Sequence, residues 1–154
     1  MQAASVYHVW FATKCRSWLL QDDVDSAVRR FIRDLAQEKR IQLLECETAV
    51  DHVHLLLRFG EGQTLPRVMN LLKGGSSYRL HRTFPELKLD SGLEHFWQRG
   101  YSFAVVDPGS LAARRRYIKS QMERLDKFER LSSMPRPLGR GGATQTECAA
   151  KAPA

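Results

Sequence analysis

The chain has 154 residues, with 24 Lys and Arg against 17 Asp and Glu and a formal charge of +7, a size that suits one domain with a proper core. No run approaches the roughly 20 apolar residues that a membrane span needs, and the start, MQAASVYHVWFATKC, lacks a charged region followed by a clean apolar run, so no membrane partner and no secretory leader are expected. The excess of positive charge points to a polyanion, nucleic acid first, while Cys15, Cys46 and Cys148, with no C-x-x-C pair, read as reduced thiols of a cytoplasmic protein.

The segment SVYHVWFATKC mixes β-branched and aromatic residues, a strand composition. Asp22 or Asp23 is then placed to cap a helix, because a short carboxylate accepts from the free N–H groups of its first turn. Val24, Val28, Phe31 and Leu35 follow at helical spacing, to about Lys39, with Arg29, Arg30 and Arg33 on the expected solvated side. IQLLECETA and HVHLLLRF read as two strands joined by a turn at Val50 and Asp51.

After the loop GEGQT, Thr64 is positioned to cap a second helix, with Pro66 in its first turn, where an N–H would be free anyway. Val68, Leu71, Leu72 and Tyr78 mark its expected buried side. Gly74 and Gly75 each weaken the helix by about 1 kcal/mol relative to Ala, so a close approach or a bend is expected there. A loop follows around Thr83 to Ser91. A fourth strand is expected from His95 to Val106, ended by Asp107-Pro108-Gly109. Ser110 would cap a third helix, from Leu111 to about Arg130.

The order β-α-β-β-α-β-α suggests an α+β fold, a ferredoxin-like antiparallel four-stranded sheet with helices packed on it. Residues 1–131 form the expected folded domain. Residues 132–154, rich in Ser, Pro, Gly and Ala, read as a flexible basic tail.

Two local patterns carry chemistry. In Asp51-His52-Val53-His54-Leu55-Leu56-Leu57 the side chains of a strand alternate, so His52 and His54 share a face with Cα atoms roughly 6.5–7 Å apart, close enough for one metal ion. Val53, Leu55, Leu57 and Phe59 face the other way. In the last helix, Leu111, Ile118, Met122 and Leu125 form an apolar stripe. Tyr117 and Gln121 stack four residues apart beside it, among the cations Arg114, Arg116, Lys119 and Arg124, which suit phosphate groups. Either pattern alone fits a bland reading, two surface histidines or a tyrosine packed at the core edge.

Together, YHVWFATKCR, DHVHLLLRF, KGGSS, FWQRGYSFAVV and RYIKSQ, in that order over about residues 6–126, resemble the single-tyrosine HUH transposases of the insertion sequence 200/605 type. The resemblance implies a DNA transposase that cleaves and rejoins hairpin-containing single-stranded DNA through a 5′-phosphotyrosine. Tyr117 would be the nucleophile, and His52, His54 and Gln121 would hold a divalent metal, Mg2+ or Mn2+. It also implies a homodimer. Lys73, Arg114, Arg116, Lys119 and Arg124 are expected DNA contacts, and the role of Asp51 stays open. Tyr101 is the rival nucleophile, ranked below Tyr117. Trp10 and Trp97 would either stack bases or sit in the core.

A phenol is mostly protonated at neutral pH and attacks weakly. A divalent ion beside the scissile phosphate neutralises charge building on its oxygens, and two imidazoles with a neutral amide leave it open positions and its full charge. Three other readings remain: a domesticated relative acting on repeated extragenic palindromes, a non-catalytic ferredoxin-like nucleic-acid-binding module, and a metal-dependent hydrolase that uses activated water. The Gln121 spacing leans towards the mobile-element branch.

Overall fold

The computed structural model describes residues 5–87 and 95–120. Strand β1 (Val6–Ala12), helix α1 (Asp22–Glu38), strands β2 (Gln42–Thr48) and β3 (His52–Arg58), helix α2 (Leu65–Thr83) and strand β4 (Ser102–Val106) follow in order. A final helix, α3, is described over residues 111–120. The sheet order is β2-β3-β1-β4, and every neighbouring pair is antiparallel. This is the ferredoxin-like α+β arrangement expected from the sequence.

One face of the sheet is apolar and covered by α1 and α2. Val9 and Phe11 of β1 and Val53, Leu55 and Leu57 of β3 meet Val28, Phe31, Ile32 and Leu35 of α1 and Val68, Met69, Leu72 and Leu80 of α2. Gly75 allows the two helices a close approach: an added Cβ would lie 2.9 Å from both terminal carbons of Leu35. The expected close approach thus belongs to Gly75, since Gly74 has open space around it. Helix α1 ends in a Schellman motif, with Ile41 N–H reaching Ala36 O at 2.8 Å and Arg40 at φ 58° in the position glycine usually takes.

The opposite face is covered by α3. Ile118 is fully buried against Val6, Ala49, Leu56 and Val106, with Leu111 and Leu44 beside them. A register shift between Leu43 and Glu45 puts an extra residue, Leu44, into the β2 edge. It turns Glu45 onto the α3 side, opposite Leu56.

Several boundaries differ from expectation. Gln21, not an aspartate, precedes α1, and no side chain caps it; Asp22 is its first residue, at φ 49°. Arg29 is not merely solvated: it donates to Thr48 Oγ1 and Cys46 O and pairs with Asp25 and Glu47. Thr64 caps α2 as expected, accepting from Arg67 N. Tyr78, expected to be buried, is 62% exposed, because Leu65, Val68, Met69, Leu72, Ser76 and Leu80 define the inner stripe instead.

A turn of helix at residues 85–87 stands in the expected loop. Strand β4 starts at Ser102, not at His95. The preceding stretch leaves the sheet except for one bridge from Trp97 to Thr13, and Phe96 and Trp97 enter the helix-side core. A short 3-10 turn, Pro108–Ser110, leads into α3 without a side-chain cap. Cys46 is a free thiol, as expected, whereas Cys15 is not. Among the described residues no helix is long and apolar enough to cross a membrane. The run of α3 to Arg130, the division at residues 131 and 132, and the sites expected at Gln121 and Arg124 lie outside the described residues.

Candidate active site

The alternation predicted for β3 is present. Val53 and Leu55 are fully buried on the helix side, while His52 and His54 rise from the α3 side with ring centroids 5.2 Å apart. The register brings β1 into the same site. Trp10 lies opposite His54 and Ala12 opposite His52, with His8 one pair further along, opposite Leu56.

Each imidazole of the pair is held through its Nδ1. His52 Nδ1 donates to Asp51 Oδ1 at 2.7 Å, and Asp51, 2% exposed, also accepts from Arg16 Nε at 3.1 Å. The Asp51 backbone is fixed too: its carbonyl accepts from Thr13 N at 2.9 Å and Thr13 Oγ1 at 3.2 Å. Cys15 and Arg16 reach this arrangement at φ 61° and 55°, a left-handed turn that costs backbone energy and carries Arg16 to the carboxylate.

His54 Nδ1 lies 2.8 Å from Nε2 of the buried His8. Trp10 flanks both rings, at 4.8 Å from His8 and nearly parallel to His54 at 6.0 Å. Burial and the neighbouring His52 and His8 push His54 down to about 3. Burial and the nearby Arg114 guanidinium push His8 down to about 4. Both are neutral at physiological pH, the state in which an imidazole can ligate a metal.

This geometry tests the donor set. With Nδ1 engaged on both rings, the Nε2 atoms of His52 and His54 are the ones left to coordinate, and outer hydrogen bonds of this kind orient metal-binding histidines. The residues fit a divalent ion with further ligands from elsewhere. Among the described residues no cluster of three His, Cys, Asp or Glu side chains is placed to hold a metal.

Helix α3 sits over this face. Arg115 donates to Glu45 Oε1 at 2.8 Å and to Leu44 O at 3.2 Å, and Lys119 approaches Glu45 at 3.5 Å. These contacts take up one flank of the helix. The other flank carries Arg114, whose charge reaches His8, and Tyr117, which is 49% exposed. No hydrogen bond or ring contact joins Tyr117 to His52 or His54 among the described residues.

The other expected contacts separate. Arg116 is exposed on the outer side of α3. Lys73 lies on α2, where its ammonium donates to the carbonyls of Gln98 at 2.8 Å and Gly100 at 2.5 Å, and burial lowers its pKa. It clamps residues 98–100 and does not reach the histidines. Tyr101 packs against the helix-side core. Trp97 is a core residue, donating from its indole to Ser76 Oγ at 2.8 Å. The sequence reading missed His8, Arg16 and the Arg115–Glu45 pair. His8 had a faint signal, since Val6, His8 and Trp10 share one parity in β1, but only the pairing of β1 with β3 shows which face that is.

The family model for IS200-like transposases matches residues 2–121. The chain belongs to that family. This transposase is 35% identical over 131 residues to the transposase for insertion sequence element IS200 of Salmonella typhimurium, covering 85% of each chain. It is 30% identical over 118 residues to the ISDra2 transposase TnpA of Deinococcus radiodurans, covering 77% of this chain and 84% of that one.

Among solved structures, a crystal structure of a protein from Deinococcus radiodurans R1 described as a transposase superposes with a TM-score of 0.65 at 30% identity, over 79% of this chain and 93% of the other. A REP-associated tyrosine transposase bound to a REP hairpin shares the fold, with a TM-score of 0.57 at 13% identity over 93% and 88% of the two chains.

Proposed function

We propose that this transposase cleaves and rejoins hairpin-bearing single-stranded DNA through a covalent phosphotyrosine at Tyr117, with a divalent ion, Mg2+ or Mn2+, held by His52 and His54. The observation that carries this reading is the pair of imidazoles, each fixed through Nδ1, on the sheet face that α3 covers. Gln121 follows Tyr117 by four residues in the sequence and is the third ligand in this reading.

The phenolic oxygen of Tyr117 attacks phosphorus and the P–O3′ bond breaks. The phenol loses its proton to water, and the departing 3′-oxygen gains one. One phosphoester replaces another, so the bond is kept for the reverse attack by the 3′-hydroxyl without an external energy source. An ion bound at the Nε2 atoms would neutralise charge on the non-bridging phosphate oxygens. Arg114 and Arg116, near Tyr117 on α3, would hold the DNA backbone. In this reading Lys119 and Lys73 serve their protein partners first.

A homodimer completes the proposal. Among the described residues strand β4 is a sheet edge, paired only with β1, and it exposes Phe103 and Val105 at 53% and 59%, an apolar edge of the kind that pairs with another chain. The mobile-element role is favoured over a palindrome-processing one, because identity to the insertion-element transposases is 35% and 30%, against 13% to the REP-associated protein.

The test is a labelled single-stranded hairpin DNA incubated with the protein and Mn2+ or Mg2+. An SDS-resistant adduct that maps to Tyr117 is expected. DNA binding without an adduct would support a non-catalytic module, and cleavage without one a hydrolase. An adduct formed equally well after chelation of divalent ions would overturn the metal assignment.

A further inference from the structure

We infer that His8 is a positioning residue for the metal site: with an ion at His54 Nε2, His8 Nε2 accepts the hydrogen bond from His54 Nδ1 and holds the ring in the orientation that offers Nε2 to the ion. The inference rests on the metal-binding reading of His52 and His54 and assigns a role to a third histidine that lies outside the His52–His54 motif.

The geometry distinguishes the two ligands. His52 is oriented by a carboxylate, which can only accept, so its Nδ1 carries the proton whatever is bound. His54 is oriented by another imidazole, at 2.8 Å between His54 Nδ1 and His8 Nε2. A single proton lies between those nitrogens, and either ring can carry it. If His8 donates, the proton of neutral His54 sits on Nε2 and blocks coordination. If His54 donates, its Nε2 is free, and the proton of neutral His8 sits on Nδ1 instead.

The surroundings do little to choose between these states. The Nδ1 of His8 is buried with no hydrogen-bond partner among the described residues, so it is unpaired in both. Coordination at His54 Nε2 therefore decides, and His8 is the only described side chain whose hydrogen bond takes up the His54 Nδ1 proton. The two states carry the same charge: the bridging proton passes from His8 Nε2 to His54 Nδ1, His54 gives up its Nε2 proton and His8 takes one on Nδ1. Binding at Nε2 therefore needs no net proton uptake. Trp10, nearly parallel to His54, limits rotation of the ring away from this line.

Mn2+ binding, followed by the electron paramagnetic resonance of free Mn2+, tests the role without DNA or turnover. His8→Phe keeps a buried ring but cannot accept, and it should weaken binding by about 10–100-fold, the range for lost outer hydrogen bonds to metal ligands. His8→Gln places an amide oxygen near the lost Nε2 and should restore most of the affinity. Equal losses in the two variants would assign His8 to packing alone and overturn the inference. So would unchanged binding in His8→Phe while His54→Ala loses it.

If the variants fail to fold, long-range proton–nitrogen correlation on the Mg2+-loaded wild-type protein decides. A proton on His54 Nδ1 with a bare His8 Nε2 is expected, and a proton on His8 Nε2 would overturn the inference. Wild-type binding indifferent to His52→Ala and His54→Ala would sink the metal reading itself, and this inference with it.

Discussion

The two faces of the sheet are built from the same strands and obey opposite rules. On the α1–α2 side, Val53, Leu55 and Leu57 have no exposed surface and pack among apolar side chains. One residue away along β3, on the α3 side, His52 and His54 sit in a chain of hydrogen bonds with Asp51, Arg16 and His8. The first face holds the fold together mainly by burial, with Trp97 and Ser76 satisfying each other inside it. The second keeps polar groups half-dry and fixed in direction, which costs stability unless each is partnered. Substitutions on the two faces should therefore separate stability from chemistry.

The largest separation is expected at Tyr117. Tyr117→Phe should abolish the covalent DNA adduct on denaturing gels while leaving thermal stability within about 0.5 kcal/mol, as usual for an exposed site. A surviving adduct would break the comparison at its polar end. On the other face, Leu55→Ala should cost about 2–5 kcal/mol in urea unfolding. Adduct formation per folded molecule should stay unchanged, and a selective loss of activity would mean that the faces are not independent.

A pH titration of the metal-free protein sharpens the contrast. His8 and His54 titrate at about 4 and about 3 in the folded chain, below the about 6.5 of an exposed histidine. The unfolded chain thus takes up protons first as pH falls. Their contribution to stability is complete above about pH 6.5 and is lost as pH falls towards 4 and 3, by up to about 1.4 kcal/mol per pH unit for each ring. Unfolding followed in His8→Phe should show a shallower acid slope.

The smallest effect is within α2. Gly74→Ala has open space and should stabilise by up to about 1 kcal/mol. Gly75→Ala meets Leu35 and should gain less or lose stability, which paired thermal melts would measure.

The fold was legible because its signals are local. Alternation in HVHLLLR and the spacing of Val28, Phe31 and Leu35 are each visible within a dozen residues, and both hold. The Thr64 cap was legible for the same reason. What failed depended on partners distant in sequence. The aromatic stretch around Phe96 and Trp97 has strand composition, but that composition reports burial, and those side chains are buried beneath the sheet next to α2 instead of pairing along an edge. Tyr78 was judged by its apolarity, but its angle on the helix turns it to water.

At the site, the histidine pair could be read from one strand. The hydrogen-bond partner of His54 could not, because it depends on the register of β1 against β3, across 46 residues. Lys73 looked like a free cation in a glycine-rich block. The carbonyls that occupy it come from a segment 25 to 27 residues later.

The attachment of α3 through Arg115 to Glu45 has a consequence for how the protein responds to ionic strength. Glu45 is 9% exposed, so its attraction to the helix is poorly reached by dissolved ions, whereas contacts between surface arginines and DNA phosphates release counterions and weaken steeply as salt rises. Raising the salt concentration should therefore empty the protein of nucleic acid well before the tyrosine-bearing segment shifts from its place. In the proposed reaction, loss of strand transfer in concentrated salt would then report failed capture of the DNA and not displacement of Tyr117.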